Sequence, residues 1–397
     1  MTFDMAAALR DDLPEAGGPW APTPTYSFVG GHNDGDSIPF AGLAEAAINA
    51  LRREGPALAS YNLGGSPQGY EPLRRFVCDK LGARAATPVD PDEVLITSGS
   101  LQALDLVNEA FLRPGDTVIV EQATYGGALT RLDRCGVSWV GVELDDDGIV
   151  PDDLERVLDR LAADGVTPRF LYTIPTVQNP TGSVLPVERR QRILELVRAN
   201  GVPVFEDDCY ADLVWRGERP PTIRALDDGG GQVIYCGSFS KSIAPSLRVG
   251  YLVADPPVIR QLLALKTDAG TGALEQLALA DYAPTSFEHH VDRLMEALQV
   301  KCAAMRAAVA EHFGDDVHVS DPAGGIYVWL TFPEGVDTSA LVEPAAAAGI
   351  EFNPGAGWSA DPTWGRRRLR LCFGHPDVGT IEAGVARLGE VYRASTA

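Results

Sequence analysis

Residues 237–248 read Gly-Ser-Phe-Ser-Lys-Ser-Ile-Ala-Pro-Ser-Leu-Arg and follow an apolar β run that ends at Cys236. Ser238, Ser240 and Arg248 are groups that bind phosphate oxygens. Lys241, beside another cation and away from water, is an amine able to attack a carbonyl carbon. Taken alone, the cluster also describes a lysine on a solvated loop. "VPVFEDDCYADL" places Asp207 and Tyr210 just past a second apolar strand. Ligands of open α/β sheets bind beyond the carboxyl ends of strands. A carboxylate there can pair with a pyridine nitrogen and keep it protonated, which makes the ring an electron sink. Tyr210 can donate a hydrogen bond to a ring phenolate. An acidic surface turn is the plainer alternative.

Three more segments could serve the same ligand. "IPTVQNPTGSVLP" sets Asn179 between a strand and a helix, as an ordinary turn residue or as an amide donor to that phenolate. "LITSGSLQALDL" reads strand, small residues, helix. Gly99, Ser100 and the Leu101 backbone N–H then stand at a helix N-terminus, where phosphate binds readily. The segment is neither a GxGxxG nor a P-loop. Arg370 lies inside the apolar run Leu-Arg-Leu. A buried arginine is costly unless it meets an anion, and either a substrate carboxylate or a structural carboxylate answers that need.

These residues need elements to hold them. Short apolar β runs ("EVLITSG", "DTVIVEQ", "FLYTIP", "VPVFEDD", "QVIYCGSFSK", "LRVGYLVA") alternate with helical runs such as "PVERRQRILELVRANG". That alternation predicts an α/β fold with a mostly parallel sheet flanked by helices. After it, "HHVDRLMEALQVKCAAMRAAVAEHF" predicts a long helix. "VHVSDPAGGIYVWLTF" and "RRRLRLCFGH" predict a smaller α+β C-terminal domain with an antiparallel sheet. The expected division is an N-terminal arm over 1–42, packing with the small domain and the site, a large domain over 43–285 and a small domain over 286–397.

The chain has 397 residues, with 33 Lys and Arg against 55 Asp and Glu, a net −22. Such a surface repels nucleic acid. No apolar run reaches the roughly 18 residues of a membrane span, and Met-Thr-Phe-Asp-Met shows no basic region followed by an apolar stretch, so no leader is expected. The six cysteines contain no CxxC pair, so a reduced cytoplasm fits better than a disulfide framework or a metal site.

Taken together, the segments resemble the class I/II aminotransferases of pyridoxal-phosphate (PLP) fold type I. The resemblance runs from about Tyr26 to Val391 in the family's order. It is closest to the branch of 2-aminoadipate and kynurenine aminotransferases, which is related to the effector domains of MocR-type regulators. Those regulators carry a winged-helix domain ahead of this fold, where only a short arm is expected here. The resemblance implies a seven-stranded sheet in the large domain and pyridoxal 5'-phosphate as cofactor. Lys241 would be the Schiff-base lysine and general base, and Asp207 the partner of the ring nitrogen. Tyr210 and Asn179 would bond the ring oxygen, and Tyr125 in "EQATYGGAL" would stack on the ring. Gly99, Ser100, the Leu101 amide, Ser238, Ser240 and Arg248 would hold the phosphate. Arg370 would take the substrate carboxylate, and Gly30 and Gly31 would match a Gly-Gly near the substrate in the arm. Tyr61 in "SYNLGGSPQGY" would reach the cofactor phosphate of the partner subunit, which implies a homodimer with shared active sites.

Two departures stand out. Relatives often carry glutamine where Leu101 stands, so only the backbone can serve there. "GGHNDGDSIPF" differs from the usual Gly-Gly-x-Pro-(Asp/Asn). It would bring His32, Asn33, Asp34 and Asp36 to the substrate entrance if the arm folds over the site; a polar loop without a role is the alternative. "GGIYVW" and "FNPGAGWS" are expected beside the site through Tyr327 and Asn353. The expected activity moves an amino group from an α-amino acid to a 2-oxo acid through pyridoxamine phosphate. The same core also suits a PLP-dependent lyase, a decarboxylating or oxidative deaminase, or a non-catalytic PLP-binding sensor.

Overall fold

The computed structural model describes residues 4–10, 13, 16 and 23–396. The rest of the expected N-terminal arm, and Ala397, lie outside the described residues. The larger sheet has seven strands: β1 (Val94–Thr97), β2 (Thr117–Glu121), β3 (Ser138–Val142), β4 (Leu171–Thr173), β5 (Val204–Asp207), β6 (Val233–Ser238) and β7 (Gly250–Val253). Their order is β1-β7-β6-β5-β4-β2-β3. β7 pairs antiparallel with both β1 and β6, and the other pairs are parallel.

The apolar runs alternate faces with period two. Ile119, Leu171, Val204 and Val233 pack with Leu154, Leu158, Ile193 and Val197 on one side. Val118, Val120, Tyr172, Phe205 and Ile234 pack into the core on the other. Helices cover both faces, which is why the strands read as unbroken apolar stretches. Each such side chain, once buried, contributes about 1.5–3 kcal/mol. The parallel strands end on one edge, at Glu121, Thr173, Asp207 and Ser238.

Helix Ala273–Phe313 is longer than the sequence predicts and begins sixteen residues before His289, with Pro284 inside it. Proline removes a helical hydrogen bond. Burial of Tyr282, Ala283 and Phe287 around it offsets that loss. The expected boundary at 285/286 falls within this helix. Beyond it, His318–Val319, Tyr327–Thr331, Arg368–Cys372 and Asn353–Pro354 form a four-stranded antiparallel sheet in that order. The register sets Arg370 between Trp329 and Asn353. From the N-terminal side, Tyr26–Ser27 pairs parallel with Ile350–Glu351. Phe28 O accepts from Cys372 N at 2.8 Å. The arm thus docks on the smaller sheet and then carries Gly30 and Gly31 toward the larger one.

The turn after β5 is clamped by buried charge. Asp212 accepts from Lys80 Nζ at 2.8 Å and from Arg219 at 3.3 Å, and Arg219 also reaches Asp208 at 3.0 Å. Burial works against the Asp212 charge, but Lys80, Arg219 and Arg84 overcome it and hold the carboxyl down at about 2. The stabilisation is therefore present above the ordinary value of 3.8 and is lost as pH falls toward about 2. We expect Asp212→Asn, which leaves Lys80 buried beside a neutral group, to cost about 3 kcal/mol in urea unfolding. It should also flatten the stability-versus-pH curve over that acid window; an unchanged acid limb would refute the clamp.

Candidate active site

A cavity of about 370 Å³ opens at the carboxyl edge of the parallel strands. The larger sheet's turns supply Ser100, Leu101, Tyr125, Asn179, Asp207, Tyr210, Ser240, Lys241 and Arg248. The arm supplies Gly30 and Gly31, and the smaller sheet supplies Asn353, Trp358 and Arg370.

One end suits a phosphate. Gly99, with φ +81°, turns the chain from β1 into helix Ser100–Phe111, whose first N–H groups are free of helical partners. A methyl group at Gly99 would overlap the Arg248 guanidinium. Arg248 itself adopts left-handed backbone at φ 54° and donates to Pro245 O and Ser98 O at 3.1 and 3.2 Å. Gly99 therefore contributes by leaving space. Ser238 is buried and lines nothing; its Oγ accepts from Ser240 N at 3.1 Å and shapes the turn that presents Ser240.

Lys241 Nζ donates to Gly31 O at 2.6 Å and lies 5.6 Å from the Tyr210 ring centre. Desolvation pulls its pKa below the ordinary lysine value, and Arg370 and Arg248 push the same way. More of the amine is then unprotonated at neutral pH, as a nucleophile or base requires. A Cβ on Gly31 would stand 2.6 Å from that nitrogen, so the close approach needs glycine.

Asp207 is 7% exposed. Its Oδ2 accepts from Tyr172 OH at 2.7 Å, whereas Oδ1 is buried without a partner. Burial raises its pKa. An uncommitted carboxylate oxygen in a dry cavity fits a cationic N–H donor.

Arg370 is 2% exposed, yet its partners are neutral: Asn179 Oδ1 at 3.0 Å, Gly30 O at 2.6 Å and Asn353 Oδ1 at 2.7 Å. Its guanidinium lies 3.7 Å from the Trp358 ring centre and 5.1 Å from that of Tyr327. Among the described residues no carboxylate pairs with it, and Nε has no partner. The salt-bridge alternative thus gains no support, and an external anion fits.

The turn leading to Asn179 is tied by Glu121, which accepts from Thr173 Oγ1, Ile174 N and Gln178 Nε2 at 2.7, 3.1 and 2.8 Å. Burial pushes the Glu121 carboxyl up to about 7. The turn is strained at Val177, whose φ is 56°.

Other expected residues lie elsewhere. Tyr61 is 82% exposed and outside the cavity. Tyr327 is buried beneath, its ring 5.0 Å from that of Tyr210. The arm does fold over the site, but Asn33 and Asp34 act as anchors: Asn33 donates to Ile243 O at 3.3 Å, and Asp34 pairs with Lys301 at 2.7 Å. His32 lies 6.0 Å from His375, ring to ring, and Asp36 is exposed on a short turn. Trp358, Cys209 and Tyr172 escaped the sequence reading. The aromatic in "FNPGAGWS" was a signal for the first; nothing local marked the others.

Comparison with known proteins agrees with this geometry. The family model for aminotransferase class I and II matches residues 31–388. Aromatic-amino-acid aminotransferase 1 of Thermococcus litoralis is 34% identical over 370 residues, covering 92% of this chain and 88% of the relative. The α-aminoadipate aminotransferase LysN of Thermus thermophilus, crystallised with N-(5'-phosphopyridoxyl)-L-leucine, superposes with a TM-score of 0.85 at 36% identity, covering 93% of this chain and 92% of that one. Kynurenine aminotransferase of Pyrococcus horikoshii, crystallised with PMP, gives a TM-score of 0.88 at 32% identity, covering 94% and 91%.

If the end near Gly99 binds phosphate, Gly99→Ala should weaken binding of inorganic phosphate to the cofactor-free protein at least about tenfold, or ~1.4 kcal/mol, in calorimetric titration. Unchanged affinity in a folded variant would place the phosphate elsewhere.

Proposed function

The chain belongs to the class I and II aminotransferases, and we propose from that premise how its own residues divide the labour. It is a PLP-dependent enzyme that transfers an amino group from an α-amino acid to a 2-oxo acid. The residues fit the cofactor on a specific observation: Asp207 keeps one buried oxygen unpartnered in the cavity that Lys241 also lines. Bound pyridoxal phosphate supplies an electrophilic carbon for amine exchange and a ring that takes up negative charge.

Lys241 is the residue that would hold the cofactor, and its free amine would take the proton from the substrate Cα on Nζ. Its lowered pKa suits both tasks. Asp207 Oδ1 would keep a bound ring nitrogen protonated, Tyr210 and Asn179 would donate to the ring oxygen, and Tyr125 would stack on the ring. The helix start at Ser100 and Leu101, with Ser240 and Arg248, binds the phosphate; Ser238 and Gly99 shape that cradle. Arg370 grips the substrate carboxylate and so orients the Cα–H bond toward Lys241. Gly30 O and Asn353 hold the guanidinium in place for it.

Residues 43–285 form the cofactor-binding unit in this scheme. The arm 1–42 and residues 286–397 form the substrate-carboxylate unit. The working assembly is a homodimer with shared sites. Phe40, Ile48, Leu51, Leu58 and Tyr61 are exposed apolar side chains on consecutive elements, an unusual concentration for a lone surface. The cytoplasm is the assigned compartment, in keeping with six free thiols and with no described helix long and apolar enough to cross a membrane.

We expect Lys241→Ala to lose turnover and to lose the borohydride-fixed cofactor label on the peptide containing residue 241. A turning-over variant would overturn the assignment. Arg370→Ala should keep the cofactor and raise KM for the amino acid about 100-fold through lost charge-assisted hydrogen bonds. In single turnover the wild-type protein should yield pyridoxamine phosphate and a 2-oxo acid; released carbon dioxide or ammonia would contradict amino transfer.

Shared sites make a separate prediction. A hybrid dimer of Lys241→Ala and Tyr61→Phe subunits should regain about half the wild-type activity, because one site then holds both intact residues. Activity no higher than that of the Tyr61→Phe homodimer would show that Tyr61 does not act across subunits.

A further inference from the structure

One thiol in the cavity wall, Cys209, and one buried behind it, Cys236, have no part in the amino transfer described above. β5 and β6 run side by side, with Asp207 and Cys236 as register partners. Asp208 N donates to Cys236 O at 2.9 Å, and the chain then turns so that Cys209 returns over the end of β6. Asp207, Cys209 and Cys236 are 7, 8 and 0% exposed. Their ligand atoms all lie within 4.8 Å of one another. We propose that Cys209, Cys236 and Asp207 bind one thiophilic divalent ion, of the class of Zn²⁺ or Cd²⁺, in the cofactor-free protein, and that this ion and pyridoxal phosphate exclude each other.

The donor set fits such an ion. Tetrahedral sulfur and oxygen ligands stand about 3.5–3.8 Å apart around zinc. Tyr172 OH holds Asp207 Oδ2 at 2.7 Å, which orients the carboxylate as metal-site carboxylates are oriented and leaves Oδ1 free to coordinate. Cys209 lines the cavity, so an ion has a route in, and a water can complete the fourth position from that side.

Charge also closes. Two thiolates and one carboxylate around a divalent ion leave one net negative charge beside the cations Lys241 and Arg370. Binding breaks two S–H bonds, forms two metal–sulfur bonds and releases two protons to solvent, with no change of oxidation state. Binding therefore weakens on acidification. The ion site stands on this geometry alone. The exclusion rests on the reading that Asp207 Oδ1 serves the ring nitrogen, since the ion and the ring would need the same oxygen.

The test is a Cd²⁺ titration of the full chain stripped of cofactor, followed by the ultraviolet thiolate-to-cadmium absorbance and by proton release. One equivalent, two protons and a cadmium NMR signal of a mixed sulfur–oxygen site are expected for the wild type. Cys209→Ser and Cys236→Ser should each lose the band while keeping wild-type circular dichroism. Cys78→Ser/Cys135→Ser, which removes the two partly exposed thiols, should keep it. The PLP-loaded protein should take up no Cd²⁺, and one equivalent of Cd²⁺ should slow PLP rebinding until a chelator is added. A wild-type cadmium signal without sulfur ligands, or a band lost only with Cys78 and Cys135, overturns the site. A band that depends on Cys209 and Cys236 but is undiminished in the PLP-loaded protein keeps the ion site and overturns the exclusion together with the role of Asp207.

Discussion

Arg370 is a full positive charge buried with neutral partners only, and the architecture around the cavity answers to it. A guanidinium out of water needs its donors satisfied even when no anion is present. Asn353 comes from the adjacent strand, Asn179 from the turn after β4, and Gly30 O from the arm. Trp358 adds a π face. Three segments distant in sequence are therefore tied to one side chain, and the same ties enclose the cavity. In the proposed role of Arg370, a substrate carboxylate would meet a cation already oriented, leaving little reorganisation for binding.

Acidic residues hold the other walls by the same principle of satisfied burial. Glu121 ties together the end of β4 and the strained turn that carries Asn179. Asp212, locked by Lys80 and Arg219, fixes the turn that presents Asp207, Cys209 and Tyr210. The chain as a whole is strongly acidic, yet the cavity gathers Lys241, Arg248 and Arg370 against Asp207. That inversion of charge selects a ligand bearing two anionic groups and one protonated nitrogen, which describes the cofactor and its amino-acid substrate together.

Asp207 sits where two demands meet. One of its oxygens is committed to Tyr172 and the other is left bare. A bare buried carboxylate oxygen is a liability in a protein without its ligand, and the neighbouring thiols of Cys209 and Cys236 give it an alternative partner in a metal ion.

The sequence by itself determined six of the seven strands of the large sheet and which polar residues stand at its edge. Six of its strands read as short apolar runs, and the polar residue just after such a run must stand at the carboxyl edge; the places of Asp207 and Lys241 were legible for that reason, as was that of Arg370 inside an apolar strand, whereas Ser138–Val142, with an exposed start and a glycine inside, was not. The length of helix Ala273–Phe313 was not legible, because Pro284 argues locally for a break that tertiary burial overrides. The partners of Arg370 were settled only by the tertiary structure. Gly30 meets it across 340 residues and Asn353 through strand register, and neither distance leaves a periodic trace in the chain. The same holds for the meeting of Cys209 with Cys236, for Tyr172 under Asp207, and for Asn33 and Asp34 as anchors in place of entrance residues. Local periodicity fixes which face and which end of an element a residue occupies; which element lies opposite is decided by strand order and packing, and only folding supplies that.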